Sequence, residues 1–301
     1  MSRVPCVSIG LPVFNAGEYL SPALDATLGQ TFGDFELIIS DNASTDSTLD
    51  ICEQYAREDD RVRIIRQPHN CGVNANHKAV FLEATGEYFR WASADDVPDL
   101  NLLDHAVETL RRDEEIVAYV PDTVNIDADG NQVDHPARTL NIRSHDASVR
   151  AEAVLRNDYQ IVFTQGLMRR STLLTTSCRL DYFGWDFVLL FELSLRGLLA
   201  NVEGPLLKRR LHQRSAAHST RKVSEVRKWV DPSIRSRVLL PHWKWTAERM
   251  RASVNAPLKV TERLQTLRLV LRHARWTRQA LWRDIVMSAN LLRGKTDEFP
   301  F

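Results

Sequence analysis

Apolar and polar positions in the first 120 residues follow two alternating periods. Short runs are built around apolar stretches: "VPCVSIGLPVF" (4–14), "FELIISDN" (35–42), "RVRIIRQ" (61–67), "EYFRWAS" (87–93) and "EIVAYVP" (115–121). Between them lie segments with apolar residues at helical spacing: "EYLSPALDATLGQ" (18–30), "STDSTLDICEQYARE" (44–58), "NANHKAVFLEAT" (74–85) and "LNLLDHAVETLRR" (100–112). Runs without polar alternation belong to strands covered on both faces. Their regular exchange with helices predicts an α/β fold, a Rossmann-like, mainly parallel sheet with helices on both faces.

The pattern loosens further on. "DADGNQ" (127–132) reads as a hairpin-like turn, and residues 133–150 are polar and irregular. "IVFTQGLMRRSTLL" (161–174) reads as a strand and then a helix, and "WDFVLLFELSLRG" (185–197) as a helix. "ANVEGPLLKRRLH" (200–212) reads as a strand pair or an extended segment. From about Ser215 the chain reads as helices separated near Pro232, Pro241 and Pro257.

Sheets of this kind hold ligands beyond the carboxyl ends of their strands. The polar groups at those places are Asn15, Asp41, Asn70 and the adjacent pair Asp95 and Asp96. They meet at one edge only if the strands are parallel neighbours. "SDNASTDST" (40–48) has two readings. It is a strand end and helix start in which Asp46 favours the helix N-terminus, or Asp41 accepts from a pyrimidine imide or a ribose hydroxyl. "WASADDVPD" (91–99) is likewise either a solvated cap before Pro98 or a site for a hard divalent cation. Mg²⁺ and Mn²⁺ bind through one or two carboxylates together with substrate phosphates. No G-x-G-x-x-G follows the first strand, and no P-loop signature occurs, so neither a dinucleotide dehydrogenase nor a P-loop NTPase is expected.

Composition narrows the partners. Lys plus Arg equals Asp plus Glu at 39 each, so no overall field favours nucleic acid. From Pro241 to Phe301, however, there are 12 Lys/Arg against 5 Asp/Glu. The four cysteines lie far apart without metal spacing and read as small packing residues in a reducing compartment. No leader-like segment opens the chain and no apolar run approaches the ~20 residues of a membrane span. A cytoplasmic protein, peripheral at most to the inner membrane face, is the expectation.

Taken in order, "VSIGLPVFNAGEYLSPALDATLGQTFGDFELIISDNASTDST" and "NCGVNANHKAVFLEATGEYFRWASADDV" resemble the nucleotide-sugar-binding half of an inverting GT-A glycosyltransferase of family 2. The resemblance is strong over residues 4–130, looser over 150–215, and stops there. It implies a GT-A fold and residue roles by position. Pro12, Phe14 and Asn15 match the strand-1 segment lining base and ribose, and Asp41 matches the acidic residue that reads the base. Asn70, Gly72 and Asn76 match the loop and helix start beside the nucleotide and donor sugar. Asp95 falls at the metal ligand of the DxD stretch and Asp96 beside the donor sugar. Ser93 stands where many members have the first Asp; its hydroxyl suits a ribose or a metal-bound water, and metal dependence is expected to be weaker.

The same comparison implies that Asp186, opening the helix beneath the acceptor cleft, is the base, with Glu192 a weaker alternative. An Asp in a first helical turn is also what the helix dipole favours. His212 matches a His or Arg that reaches the metal or diphosphate, and Arg209, Arg210 and Arg214 suit phosphate; a solvated basic strand edge is the plainer reading. His77, His105 and His218 read as surface or packing residues.

The expected organisation is a GT-A catalytic domain at 1–214, with 1–130 binding the nucleotide sugar and 131–214 forming the acceptor side, followed by a helical C-terminal extension at 215–301. The expected reaction moves a sugar, of hexosyl type, from a UDP-sugar or a dTDP- or GDP-sugar to an acceptor hydroxyl with inversion, using Mn²⁺ or Mg²⁺. A saccharide or glycolipid acceptor in cell-surface polysaccharide or glycolipid synthesis would fit. Two rivals are a sugar nucleotidyltransferase, which "FNAGEY" after strand 1 argues against, and a degenerate glycan- or partner-binding module, for which Ser93 argues. "LQTLRLVLRHARWTRQALWRDIVMSANLL" is a basic amphipathic stretch with Trp276 and Trp282. It docks on the catalytic domain or a twin subunit, or lies on an anionic membrane.

Overall fold

A computed structural model describes residues 4–134, 140–156, 161–201, 204, 206–212, 223–233, 238 and 240–294. The first half alternates as its pattern predicts: β1 (Val7–Val13), α1 (Leu20–Leu28), β2 (Phe35–Asp41), α2 (Thr48–Glu58), β3 (Val62–Arg66), α3 (Val73–Leu82), β4 (Tyr88–Trp91), a short β5 (Val97–Pro98), α4 (Leu102–Arg112), β6 (Ile116–Tyr119) and β7 (Asp122–Ile126). Then follow α5 (Ala147–Arg156), a 3-10 turn (Ile161–Gln165), β8 (Leu167–Arg169), α6 (Arg170–Thr175), α7 (Trp185–Ser194), β9 (Leu198–Ala200) and β10 (Leu206–Arg210). The chain continues through α8 (Val223–Val230), α9 (Pro241–Asn255), α10 (Val260–Trp276) and α11 (Arg278–Leu292).

The central sheet has the order β3-β2-β1-β4-β8-β6-β9. β3, β2, β1 and β4 are parallel neighbours, so their carboxyl ends share one edge. β8 runs antiparallel between β4 and β6 and splits the sheet. A second, three-stranded sheet sets β10 antiparallel to β5 and parallel to β7. This pairing carries the basic "LKRR" strand to the segment that follows Asp95 and Asp96.

Both faces of β1, β2 and β4 are buried, which is why these strands do not alternate. On one face Ile9, Leu11, Leu37 and Ile39 pack with Leu24 of α1 and Leu103, Ala106 and Leu110 of α4. On the other, Ile38, Phe89 and Trp91 pack with Val80 and Phe81 of α3 and with α7. Helix α7 is apolar all round, as expected of a helix enclosed on every side. Ala252 and Ala256 near the end of α9, and Val270 of α10, join that same cluster. Val223, Val226 and Val230 of α8 pack with Met287 of α11 in a smaller one, against which Phe183 rests.

Some local expectations are corrected and others hold. The strand and helix expected in "IVFTQGLMRRSTLL" are present as β8 and α6, but "IVFTQ" before them is a 3-10 turn. The irregular stretch to 150 already contains the start of α5, whose first turn is ordered by Asp146 accepting from Ser148 N–H at 2.7 Å. Pro241 marks a helix boundary as expected and stands at the first position of α9, where its missing N–H costs nothing. The 127–132 turn is present, with Asp127 Oδ1 accepting from Asn131 N–H at 2.8 Å. The start of the helical region at Ser215 lies outside the described residues.

Candidate active site at the carboxyl edge of the sheet

Asp41 is the last residue of β2 and only 2% exposed. Its Oδ2 accepts from Ser44 N–H at 3.2 Å, while Oδ1 is buried without a hydrogen-bond partner among the described residues. A buried acceptor left unpaired costs about 1–3 kcal/mol, so it marks a place where a ligand donor would be stabilising. Asn15 follows β1 with φ of 49°, a left-handed conformation that Asn tolerates. Its side-chain oxygen accepts from Thr45 N–H at 2.8 Å, and its own N–H donates to Ser44 Oγ at 3.0 Å, which ties the β1 and β2 loops together. Pro12 lies within β1 beside Ser40, and Phe14 is half-exposed at the strand's end.

Asn70 and Asn76 build the next wall. Asn70 Oδ1 accepts from Asn42 Nδ2 at 3.0 Å and from Gly72 N–H at 2.9 Å. Asn76 Nδ2 donates to the carbonyls of Val13 and Ser40, at 3.2 and 2.9 Å, pinning the ends of β1 and β2. Gly72 has φ of 86°, and a Cβ there would stand 2.4 Å from the Val230 carbonyl at the end of α8. Only glycine satisfies both the backbone angle and the contact.

After β4, Ser93 Oγ donates to Asp95 Oδ1 in a short hydrogen bond. Asp95 Oδ2 lies 3.0 Å from His212 Nε2. The Arg210 N–H donates to Asp96 Oδ1 at 2.8 Å, and Arg210 Nε donates to the Asp95 carbonyl at 3.1 Å. Gln165 Nε2 donates to the other oxygen of Asp96. Asp96 is buried, and burial together with the neighbouring Asp95 raises its pKa well above the usual carboxylate range. Asp95 is thus the more accessible carboxylate, with an imidazole opposite it, and Asp96 is locked into the protein. Arg214 and His218 lie outside the described residues.

Asp186 occupies the first turn of α7, and packing seats the start of that helix beside the end of β4. The ring of Trp185 lies 5.3 Å from that of Trp91, the last residue of β4. Asn74 Nδ2, at the start of α3, donates to the Tyr182 carbonyl at 3.0 Å. Gly184, with φ of 71°, precedes the helix, and a Cβ there would stand 2.5 Å from Trp245 of α9. Trp245 Nε1 in turn donates to the Phe183 carbonyl at 2.7 Å. Loss of water around Asp186 raises its pKa to about 6, against the opposing hydrogen bonds of the helix N-terminus. A carboxylate poised near neutrality suits proton abstraction.

Glu192 does not share this edge. It is 4% exposed, and its carboxylate accepts from Ser177 N–H at 3.1 Å and Ser177 Oγ at 2.9 Å, which makes it a brace for the turn after α6. His77 is a packing residue, its Nδ1 2.8 Å from the Val73 carbonyl and its ring 5.9 Å from Trp185.

Four residues of the site had no place among the sequence candidates. Tyr19 stands with its ring 4.8 Å from His212 and 5.0 Å from the Arg210 guanidinium. Gln165 holds Asp96, and Trp185 seats the Asp186 turn. Arg90 is 2% exposed, and burial lowers its pKa to about 10 while the charge of Asp96 opposes that shift. Its signal was present, a charge inside the apolar run "EYFRWAS". The other three carry no local mark.

A parallel sheet with acidic residues gathered at its carboxyl edge, without a Gly-rich phosphate loop, sets this candidate site where open α/β sheets hold their ligands. The model of the family "Glycosyl transferase family 2" matches residues 8–173, more than half of the chain, and the chain belongs to that family. A chondroitin synthase of Escherichia coli is 32% identical over 133 residues, 44% of this chain and 19% of that protein. A hyaluronan synthase of Pasteurella multocida is 29% identical over 133 residues, which are 14% of its length. The chain therefore spans less than a fifth of these synthases. Among solved structures, Staphylococcus aureus TarS 1–349 in complex with UDP superposes with a TM-score of 0.60 at 16% identity, covering 91% of this chain and 73% of that one. A mannosyltransferase from Pyrobaculum calidifontis in complex with GDP-Man and Mn²⁺ gives 0.55 at 16% identity, covering 98% and 89%. At such identity these neighbours establish a shared GT-A fold.

Proposed function

We propose that the protein transfers a sugar from a nucleoside diphosphate sugar to an acceptor hydroxyl with inversion, in the synthesis of a cell-surface polysaccharide or glycolipid. The observation that carries this reading is the meeting of the Asp95–His212 pair with the unpaired, buried Asp41 Oδ1 at one sheet edge. Asp41 accepts from the base or ribose, with Pro12, Phe14 and Asn15 beside it, while Asn70, Gly72 and Asn76 shape the wall toward the donor sugar. Asp96 and Arg210 hold the Asp95 backbone in place. Asp186 takes the acceptor proton as that oxygen attacks the anomeric carbon. The bond from that carbon to the diphosphate oxygen breaks, and the nucleoside diphosphate leaves with the electron pair. Residues 1–214 carry this chemistry in the proposed division, with the acceptor side at 131–214.

The residues present fit a divalent cation. Asp95 Oδ2 and His212 Nε2 are an oxygen and a nitrogen donor 3.0 Å apart, suited to Mn²⁺ or Mg²⁺ completed by phosphate oxygens and water. Among the described residues no group of three such side chains is found, so substrate oxygens would have to supply the rest. Bound there, the cation would neutralise charge on the diphosphate.

UDP and GDP-Man occur in the neighbours' complexes, and this chain is expected to take one nucleotide of that kind. Thermal unfolding with UDP, dTDP and GDP, with and without Mn²⁺, tests it. A ligand at 100 times its Kd adds about 2.7 kcal/mol. A shift with one nucleotide, lost in Asp41→Ala, supports the reading. No shift with any of them, and no release of nucleoside diphosphate from UDP-, dTDP- or GDP-sugars, would sink it in favour of a binding module.

A further inference from the structure

We propose that the outward face of α11 is a docking surface for an anionic lipid bilayer. Helix α11 is apolar on two sides. Ala280, Leu281 and Met287 face the protein and are buried. Trp282, Ile285, Val286 and Leu292, at helical spacing on the opposite side, are 65, 40, 40 and 58% exposed. A surface helix that exchanges only one face with the protein is normally polar on the other. Here the outer stripe is apolar over three turns and carries a Trp of the kind enriched at membrane interfaces.

Charge identifies the occupant. The cations of α11 are Arg278, Arg283 and Arg293 at its C-cap, all exposed. Its sole carboxylate, Asp284, is 3% exposed and turned inward, where Oδ2 accepts from His242 N–H at 2.8 Å and Oδ1 lies 2.9 Å from His242 Nδ1. The outer face therefore presents apolar side chains among arginines, without a carboxylate. That pattern complements acyl chains beneath anionic headgroups, and a self-complementary dimer would have to set arginine against arginine. Among the described residues no helix is long and apolar enough to cross a membrane, so the contact would be peripheral.

The same helix is tied to the proposed acceptor side. His242, held by Asp284, packs edge-on with its ring 4.8 Å from that of Trp245, and Trp245 holds the Phe183 carbonyl before Asp186. A seated α11 would thus hold the Asp186 turn at a set height above the bilayer, where a lipid-borne acceptor hydroxyl would arrive. That consequence rests on the glycosyl-transfer reading; the docking itself does not.

Co-sedimentation of the full chain with phosphatidylcholine vesicles, with and without phosphatidylglycerol, tests the proposal. Binding is expected only to the phosphatidylglycerol vesicles, weakening as salt rises. Arg283→Glu and Arg293→Glu are each expected to lower the partition at least about fivefold, the equivalent of 1 kcal/mol per basic residue at such a surface. Trp282→Glu is expected to abolish it. These side chains are exposed, so far-UV circular dichroism and Tm should keep their wild-type values, and a variant that loses them is replaced by Trp282→Ser. Equal binding to both vesicle types, no binding to either, or a dimer in light scattering that Trp282→Glu dissolves would each overturn the proposal.

Discussion

His212 Nε2 and Asp95 Oδ2 stand 3.0 Å apart although 117 residues separate them in the chain. The second sheet makes the meeting. β10 pairs with β5 just beyond Asp96, so the residue two places after β10 reaches back over the carboxylate that follows β4. Asp95→Asn and His212→Ala are each expected to weaken Mn²⁺-dependent nucleotide binding at least about tenfold. Calorimetric titration with and without Mn²⁺ checks this; equal affinities in wild type and both variants would remove the pair from the cation site.

Ser93 donates its hydroxyl to Asp95 Oδ1. Ser93→Asp would set two carboxylates against each other, so the metal-free protein should lose roughly 1 kcal/mol of stability through like-charge repulsion. Saturating Mn²⁺ should then raise Tm more in the variant than in wild type. A smaller rise in the variant would mean that position 93 does not face the cation.

Asp186→Asn should lower kcat by about 10²–10⁴-fold while leaving nucleotide binding unchanged. Glu192→Gln is the control: it loosens the Ser177 turn and costs about 1 kcal/mol, with kcat held within a fewfold. The opposite result, a large kcat loss only in Glu192→Gln, would exchange their roles.

The raised pKa of Asp186, about 6, predicts two pH effects of opposite sense. Activity needs the carboxylate, so kcat should fall tenfold per pH unit below about 6. Stability behaves differently, because the folded chain binds this proton more tightly than the unfolded one, whose carboxyl titrates near 3.9. The Asp186 contribution is intact below that value and declines as pH rises through 6. Asp186→Asn should consequently be more stable than wild type at pH 7.5, by on the order of 1–2 kcal/mol after discounting for partial exposure, and equal to it near pH 4. Equal Tm values at both pH values would contradict the burial of that carboxyl.

Gly184→Ala meets two obstacles at once, a φ of 71° and the indole of Trp245. A loss of about 2–3 kcal/mol is expected. Because the displaced turn presents Asp186, kcat should fall while the Kd for nucleotide stays constant. Wild-type kcat would show that the turn does not set the position of Asp186.

The unbroken apolar runs around Ile9, Ile38 and Phe89 could be read as buried parallel strands because each residue's neighbours along the chain carry the pattern. The same holds for Asp41, the last residue of its strand, and Asp95, just after one: these are local facts that put them at a shared edge once β3, β2, β1 and β4 are parallel neighbours. Tyr19, Gln165 and Trp185 were not legible, because what distinguishes them is a partner 69 or more residues away or a ring contact that no spacing encodes. Gln165 even sits in a segment whose apolar run suggested a strand.

The sequence by itself determined the alternating α/β order, the acidic groups at the strand ends and the basic, Trp-bearing C-terminal helices, since hydrophobic periodicity and turn chemistry are local. Only the tertiary structure decided that Asp96 is locked while Asp95 faces His212, that Glu192 is a brace, and that α9 holds the Asp186 turn. It also decided that α11 turns its one carboxylate inward and its arginines out. Each of these depends on burial and on contacts between distant segments, and free energies of that kind exist only once the chain has packed.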